Sequence, residues 1–369
     1  MESRKDEPRS GGLPRSRRWR AGAVALALAL SVGLAGCGGA SSGAGTSQAP
    51  AGGASGGAPG AKPFKVGLVT DVGGINDRGF NQLAYEGLQR AQRELGVQGR
   101  VIQSKQQTDY IPNLSGLAQQ GYNLVIAVGF LMQDQVQQVA KEYPNTHFAI
   151  IDVGIEGIPN LASAVFKYQE AGYLAGAMAG LIEKERALPG IKGTNKIGVV
   201  GGMSIPPVNA YIAGFEAGVR KVAPEVQVIL RYANAFDDPA AGRELALAEA
   251  AQGAEIIQQA AGNTGTGVIE GAKQAGVYAI GVDMDQNYLA PRTVIFSALK
   301  RVDNVTFDLI KAAKEGRLQG GINVFDLKSG GVGVTRPIQG VPAGIVQRVD
   351  ELRQQIVDGK IVPPDRLPK

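Results

Sequence analysis

Asp71, Asp152, Asp283 and Lys300 each close an apolar run, Gly129 closes another, and Phe236–Asp237 lie just past "VQVILRYA". A carboxylate or ammonium at such a place must find partners or face water, because an unpaired buried charge is costly. These residue types suit recognition: carboxylates accept hydrogen bonds, lysine donates them, and phenylalanine offers a flat apolar face. The first run is the richest, since "VTDVGGINDRGFNQ", Val69 to Gln82, gathers Asp71, two glycines, Asn76, Asp77, Phe80 and Asn81. Each has a plainer reading beside the binding one. Asp77 is read as the cap of a helix starting at Arg78 or Gly79 in preference to a ligand contact. Gly73 and Gly74 make a turn or let backbone approach a ligand. Phe80, by composition alone, is a core residue, and Asp238 before Pro239 is an N-cap with proline at the first helical position.

Catalytic arrangements find few candidates. The single histidine, His147, starts an apolar run and so falls at the opposite end from the other polar residues, which leaves no Ser-His-Asp or Cys-His set and no Cys/His metal site. "GNTGTG", Gly262 to Gly267, has the wrong glycine order for a dinucleotide fingerprint and lacks the lysine of a phosphate loop. "DMD", Asp283 to Asp285, is the one metal-binding alternative, as an Asp-x-Asp pair in a nucleoside- or sugar-processing enzyme. No cofactor is expected.

The elements that must position these residues alternate along the chain. Apolar runs "KVGLVTDV", "NLVIAVG", "HFAIIDV" and "LASAVFK" are separated by helical stretches, the first from about Gly79 to Leu95 with Phe80, Ala84, Leu88, Ala91 and Leu95 on one face. The pattern restarts with "KIGVVGG", "VQVILRYA", "AEIIQQAAG", "VYAIGVDMD" and "TVIFSALK", again interleaved with helices, and closes with "GGINVFDL" and a helix around Ile345 to Asp358. Apolar strands separated by helices imply α/β architecture with parallel sheets covered on both faces. The strands are too many for one sheet of usual size, so two lobes are expected. Crossovers are expected near Lys167 to Glu170, Asp285 to Arg292 and Gly320. They assign 63–167 plus about 290–320 to lobe 1, and 168–289 plus about 321–369 to lobe 2. Ligands of such sheets bind outside the carboxyl ends of the strands, where the polar residues gather.

The chain of 369 residues carries 38 Lys/Arg and 33 Asp/Glu, but seven of the basic and three of the acidic residues lie in residues 1–36. The remainder, 31 against 30, has no footprint for a polyanion, and no nucleic-acid partner is expected. Residues 1–36 read as an export signal: an Arg-rich start ending "RSRRWR", then the apolar Ala21 to Gly36. "LAGC", Leu34 to Cys37, resembles a bacterial lipobox, and Cys37 is the only cysteine. The Gly/Ala/Ser/Pro stretch that follows cannot bury a core and reads as a tether over 37–62. The expected location is therefore the extracytoplasmic face of the cell membrane, held by lipid on Cys37.

Signal, tether, alternation and local motifs together resemble the basic membrane protein family, purine nucleoside-binding lipoproteins of ABC transporters. The motifs are "VGLVTDVGGINDRGFNQLAYEGL", "AVGF", "FAIIDV", "EAGYLAGAMAG", "FDDPAAGRELA", "AGNTGTG", "IGVDMDQ" and "SALKRVD", spanning about Val66 to Asp303. The resemblance implies a two-lobed type I periplasmic-binding-protein fold with hinge crossovers, a purine nucleoside ligand, and ABC permease and ATPase partners. It also implies residue roles. Phe80 and Phe236 would stack on the base; Asp71, Asn81 and Asp152 would bond its edge, with Asn76 a further contact. Asp283, or Asp285 beside it, would accept from the ribose; Lys300 would donate to the sugar, and backbone around Gly262 would line the pocket. The same fold binding a sugar or another small polar solute is the competing reading.

Overall fold

In the computed structural model residues 62–368 are described. The segments read as export signal, lipidated Cys37 and nearly all of the tether lie outside them. The chain runs β1 (Lys65–Thr70), α1 (Phe80–Leu95), β2 (Gln98–Gln103), α2 (Tyr110–Gln119), β3 (Leu124–Val128), α3 (Gln133–Glu142), β4 (His147–Ile151) and β5 (Leu161–Phe166). It continues through α4 (Tyr168–Lys184), β6 (Lys196–Gly201), α5 (Pro206–Val222), β7 (Gln227–Tyr232), α6 (Pro239–Ala251), β8 (Ile256–Ala260), α7 (Thr264–Ala275), β9 (Tyr278–Gly281) and β10 (Val294–Lys300). α8 (Val302–Lys314), β11 (Gly321–Phe325), β12 (Val332–Val334) and α9 (Ala343–Val357) complete it.

Two six-stranded sheets result, ordered β11-β5-β4-β3-β1-β2 and β12-β10-β9-β8-β6-β7. Every pairing is parallel except β10 with β12, an antiparallel edge. The apolar runs at inner positions of the sheets become strands buried on both faces, β3 over its whole length, while those at the edges, β7 and β11, stay half-buried or exposed. β2 is also a partly exposed edge strand, and no apolar run marks it. Helices cover both faces, as α1 does by burying Leu83, Ala84, Leu88 and Ala91 along one stripe. α4 and α5 approach more closely. A Cβ at Gly172 or Gly176 would run into the carbonyls of Tyr211 and Phe215, and one at Gly214 or Gly218 into those of Gln169 and Tyr173. The two helices therefore meet backbone to backbone, which only glycine allows.

The crossovers correct the expected lobe boundaries. The first is at Lys167. The second falls at Arg301 instead of Asp285 to Arg292, because β10 pairs with β9 and stays in the second sheet. The third lies within 326–331, not at Gly320, because β11 pairs with β5 in the first sheet while β12 returns to the second. So 290–300 belongs to lobe 2 and 321–325 to lobe 1. An apolar run declares a buried strand but not which of two similar sheets receives it. The crossovers lie side by side: Lys167 N donates to Phe325 O (2.8 Å), Arg301 N to Gly331 O (2.9 Å), and Leu327 N to the Glu170 carboxylate (2.8 Å).

Candidate functional site

The cleft between the lobes lies at the carboxyl ends of both sheets. In lobe 1 strand order reverses between β1 and β3, and Asp71 and Gly129 follow those two strands; in lobe 2 it reverses between β6 and β8, where Gly202 and Gly262 sit. Such switch points open crevices because adjacent connections leave to opposite faces. A cavity of about 100 Å³ occupies the crevice. Asp71, Phe80, Asn81 and Asp152 line it from lobe 1, and Phe236, Gly262, Asp283 and Lys300 from lobe 2.

Asn81 Nδ2 donates to Asp71 Oδ1 at 2.7 Å, as does Gly73 N at 2.9 Å, which fixes the carboxylate at the end of β1. The Asp77 carboxylate accepts from the backbone N–H groups of Gly79 (3.1 Å), Asn81 (2.8 Å) and Gln82 (3.0 Å). It holds the first turn of α1 and so sets the direction of Phe80 and Asn81. Phe236 is placed by a different device. Its ring lies against Gly202, where a Cβ would run into it, and beside Gly262, and Thr264 pins the loop by donating to Ala235 O and accepting from Asp238 N, both at 3.0 Å. Asp152 and Asp283, after β4 and β9, have φ of 82° and 67°. Left-handed backbone at a non-glycine residue costs about 1–3 kcal/mol and collects at functional positions.

The lobes are closed on each other. Lys300 Nζ of lobe 2 lies 2.7 Å from Asp152 Oδ2 of lobe 1, and both side chains are about nine-tenths buried. Gln286 Nε2 donates to Arg78 O across the cleft at 2.8 Å. The Lys300 ammonium also stands 4.2 Å from the centroid of Phe80 and 4.6 Å from that of Tyr168, within cation–π range. Four carboxylates, those of Asp71, Asp77, Asp152 and Asp283, thus share a wall with one ammonium. Burial pushes Asp71 up to about 6, against the lowering pull of the Asn81 and Gly73 hydrogen bonds. It pushes Asp283 up to about 7, with Lys300 opposing. Asp77 is also raised by burial.

Asn76 is the candidate that stands apart from the others. Its residue is exposed and lies off the cavity wall, because Asp77, next to it, turns inward to hold α1. Asp285 is exposed and accepts from Asn287 N, so it does not join Asp283 in a metal-binding pair. Asp237 is exposed, and His147 is exposed at the start of β4. Sequence reasoning missed Tyr168 and Tyr211, which line the cavity from α4 and α5. No spacing marks them, since an aromatic residue in an amphipathic helix reads as core. Among the described residues four buried polar atoms in this wall make no hydrogen bond of good geometry, Asn81 Oδ1, Asp152 Oδ1, Tyr168 OH and Tyr211 OH, though the Tyr168 phenol approaches the Asp152 carboxylate.

Residues 64–366 match the sequence profile of the Bmp family, described as ABC transporter substrate-binding protein PnrA-like. The chain is 35% identical over 325 residues, 82% of this chain and 90% of the other, to the ABC transporter nucleoside-binding protein BmpA of Lactococcus lactis. It is 34% identical to an uncharacterized lipoprotein of Pyrococcus horikoshii, across 74% of this chain and 69% of that one. A solved ABC transporter solute-binding protein of Aeropyrum pernix superposes with a TM-score of 0.76 at 31% identity, covering 82% of this chain and 94% of the other.

Proposed function

From a chain that belongs to the Bmp family of PnrA-like ABC transporter substrate-binding proteins, with their two-lobed periplasmic-binding-protein fold and a role in solute binding rather than catalysis, we propose a receptor for purine nucleosides. It is exported, held to the extracytoplasmic face of the membrane by lipid on Cys37, and delivers its ligand to a membrane permease driven by an ATPase. The observation that carries the ligand class is the pair of phenylalanines, one from each lobe, on the wall of one closed cavity ringed by carboxylates.

Phe80 and Phe236 give the base two flat faces, each stack worth roughly 1–3 kcal/mol and tolerant of any base. The Lys300 ammonium covers part of Phe80, so an entering base shares that ring with it or turns it toward the sugar. Selection falls to the polar wall. Asp71, Asn81 and Asp152 meet the base edge, and a ligand lacking matching donors leaves buried acceptors unpaired, at about 1–3 kcal/mol each. Asp283 and Lys300 meet the ribose, with Gly262 backbone beside it. Four carboxylates around one ammonium repel a phosphate, so nucleosides are favoured over nucleotides. Closure follows, since a ligand touching both lobes binds the closed state preferentially.

Calorimetric titration with inosine, guanosine, adenosine, inosine monophosphate and ribose tests the reading. Purine nucleosides are expected to bind far more tightly than ribose or the monophosphate. Binding of ribose alone would overturn the choice in favour of the sugar-binding alternative.

A further inference from the structure

Two hydroxyls in the cavity wall have no use in the contacts above. Among the described residues Tyr211 OH, from the second turn of α5, is buried without a hydrogen-bond partner, and Tyr168 OH, from the first residue of α4, is buried with only a loose approach to the Asp152 carboxylate. Tyr211 is only 5% exposed. An orphaned buried hydroxyl costs about 1–3 kcal/mol, and phenylalanine would fill the same space without that cost. Neither phenol can retreat far, because α4 and α5 are locked together by their glycine contacts. Lys300 meets the ring face of Tyr168 and not its oxygen. Burial, reinforced at Tyr168 by the charge of Asp152 and the phenol's approach to it, and at Tyr211 by the charge of Asp283, holds both phenols well above their ordinary range. Both keep a proton to donate at any physiological pH.

We propose that Tyr168 and Tyr211 form a hydroxyl-reading subsite beside Asp283, each phenol donating to a ligand hydroxyl whose own proton goes to a carboxylate. A hydroxyl is the group that fits, since it donates and accepts at one oxygen, whereas the carboxylates only accept. A methyl or hydrogen in its place would leave both walls unsatisfied. The ligand class is a polyhydroxylated neutral molecule, which deepens the nucleoside reading and rests on it for the identity of the hydroxyls.

The test uses Tyr168→Phe, Tyr211→Phe and the double variant, titrated calorimetrically with inosine and with its 2′-, 3′- and 5′-deoxy analogues. At least one Phe variant is expected to weaken inosine binding roughly three- to tenfold. Against the analogue lacking the hydroxyl it reads, the same variant is expected to lose nothing further, so the two losses do not add. The ligand-free melting temperature of Tyr211→Phe is expected to stay level or rise, because an orphan has been removed. Inosine affinity unchanged in all three variants would overturn the subsite, as would equal losses against every analogue or a lowered ligand-free melting temperature of Tyr211→Phe. Failure of the wild-type protein to bind any of the four ligands sinks the nucleoside reading as well; tight wild-type binding with indifferent variants sinks the subsite alone.

Discussion

At the scale of single residues, the cavity wall is a set of groups left short of partners or held in costly states. Phe236 rests on backbone at Gly202 and Gly262, so its ring is fixed before any ligand arrives. Phe236→Ala is therefore expected to weaken nucleoside binding by roughly 1–3 kcal/mol, a factor of about 5 to 150, with little change in which base is preferred. Titration against guanosine and adenosine checks both halves. The carboxylates carry a second expectation. In the folded, ligand-free protein Asp283 titrates at about 7 and Asp71 at about 6, against an ordinary value of 3.8. The folded state keeps protons that the unfolded chain releases, so stability is highest at the acid end of that window and falls as pH rises from about 4 to about 7. Asp283→Asn removes on the order of 2–4 kcal/mol of that decline. Urea midpoints of both proteins at pH 4.5, 6 and 8, without ligand, read it directly; parallel slopes would contradict the assignment.

The elements place these groups through tight backbone contacts. α4 and α5 carry Tyr168 and Tyr211 and meet through Gly172, Gly176, Gly214 and Gly218. Gly176→Ala puts a methyl against the Phe215 carbonyl, and overpacking of this kind costs about 1–3 kcal/mol. Thermal unfolding should show a clear drop in melting temperature. α6 holds a different strain: Glu249 is fully buried beneath Gly198 with neither carboxylate oxygen paired, and burial, opposed by Arg231, pushes it up to about 8. Its raised value means that stability falls as pH climbs from about 4.5 toward 8. Glu249→Gln, neutral throughout, is expected to unfold at a higher temperature than the wild type at pH 9 and to differ little at pH 5.

At the scale of the molecule, the Lys300–Asp152 and Gln286–Arg78 contacts join the lobes while three crossovers, bonded side by side, leave a hinge. Gln286→Ala removes one tie, and small-angle scattering of the ligand-free variant is expected to give a larger radius of gyration than the wild type; equal radii would mean that the contact does not hold closure. The sequence carries the alternation of buried parallel strands with helices and the charged groups at the strand ends, because burial on both faces leaves an unbroken apolar run whose polar terminus is conspicuous. It also marked Phe80 and Phe236, through short motifs shared with a family. The packed fold alone put β10 and β11 in the lobes opposite to those expected, since strand pairing is a long-range contact that two similar runs satisfy equally well. It likewise decided that Asn76 turns outward while Asp77 turns in, and that Tyr168 and Tyr211 open onto a cavity instead of a core. Those outcomes depend on which surfaces two lobes bring together, and a local pattern of side chains carries no record of that meeting.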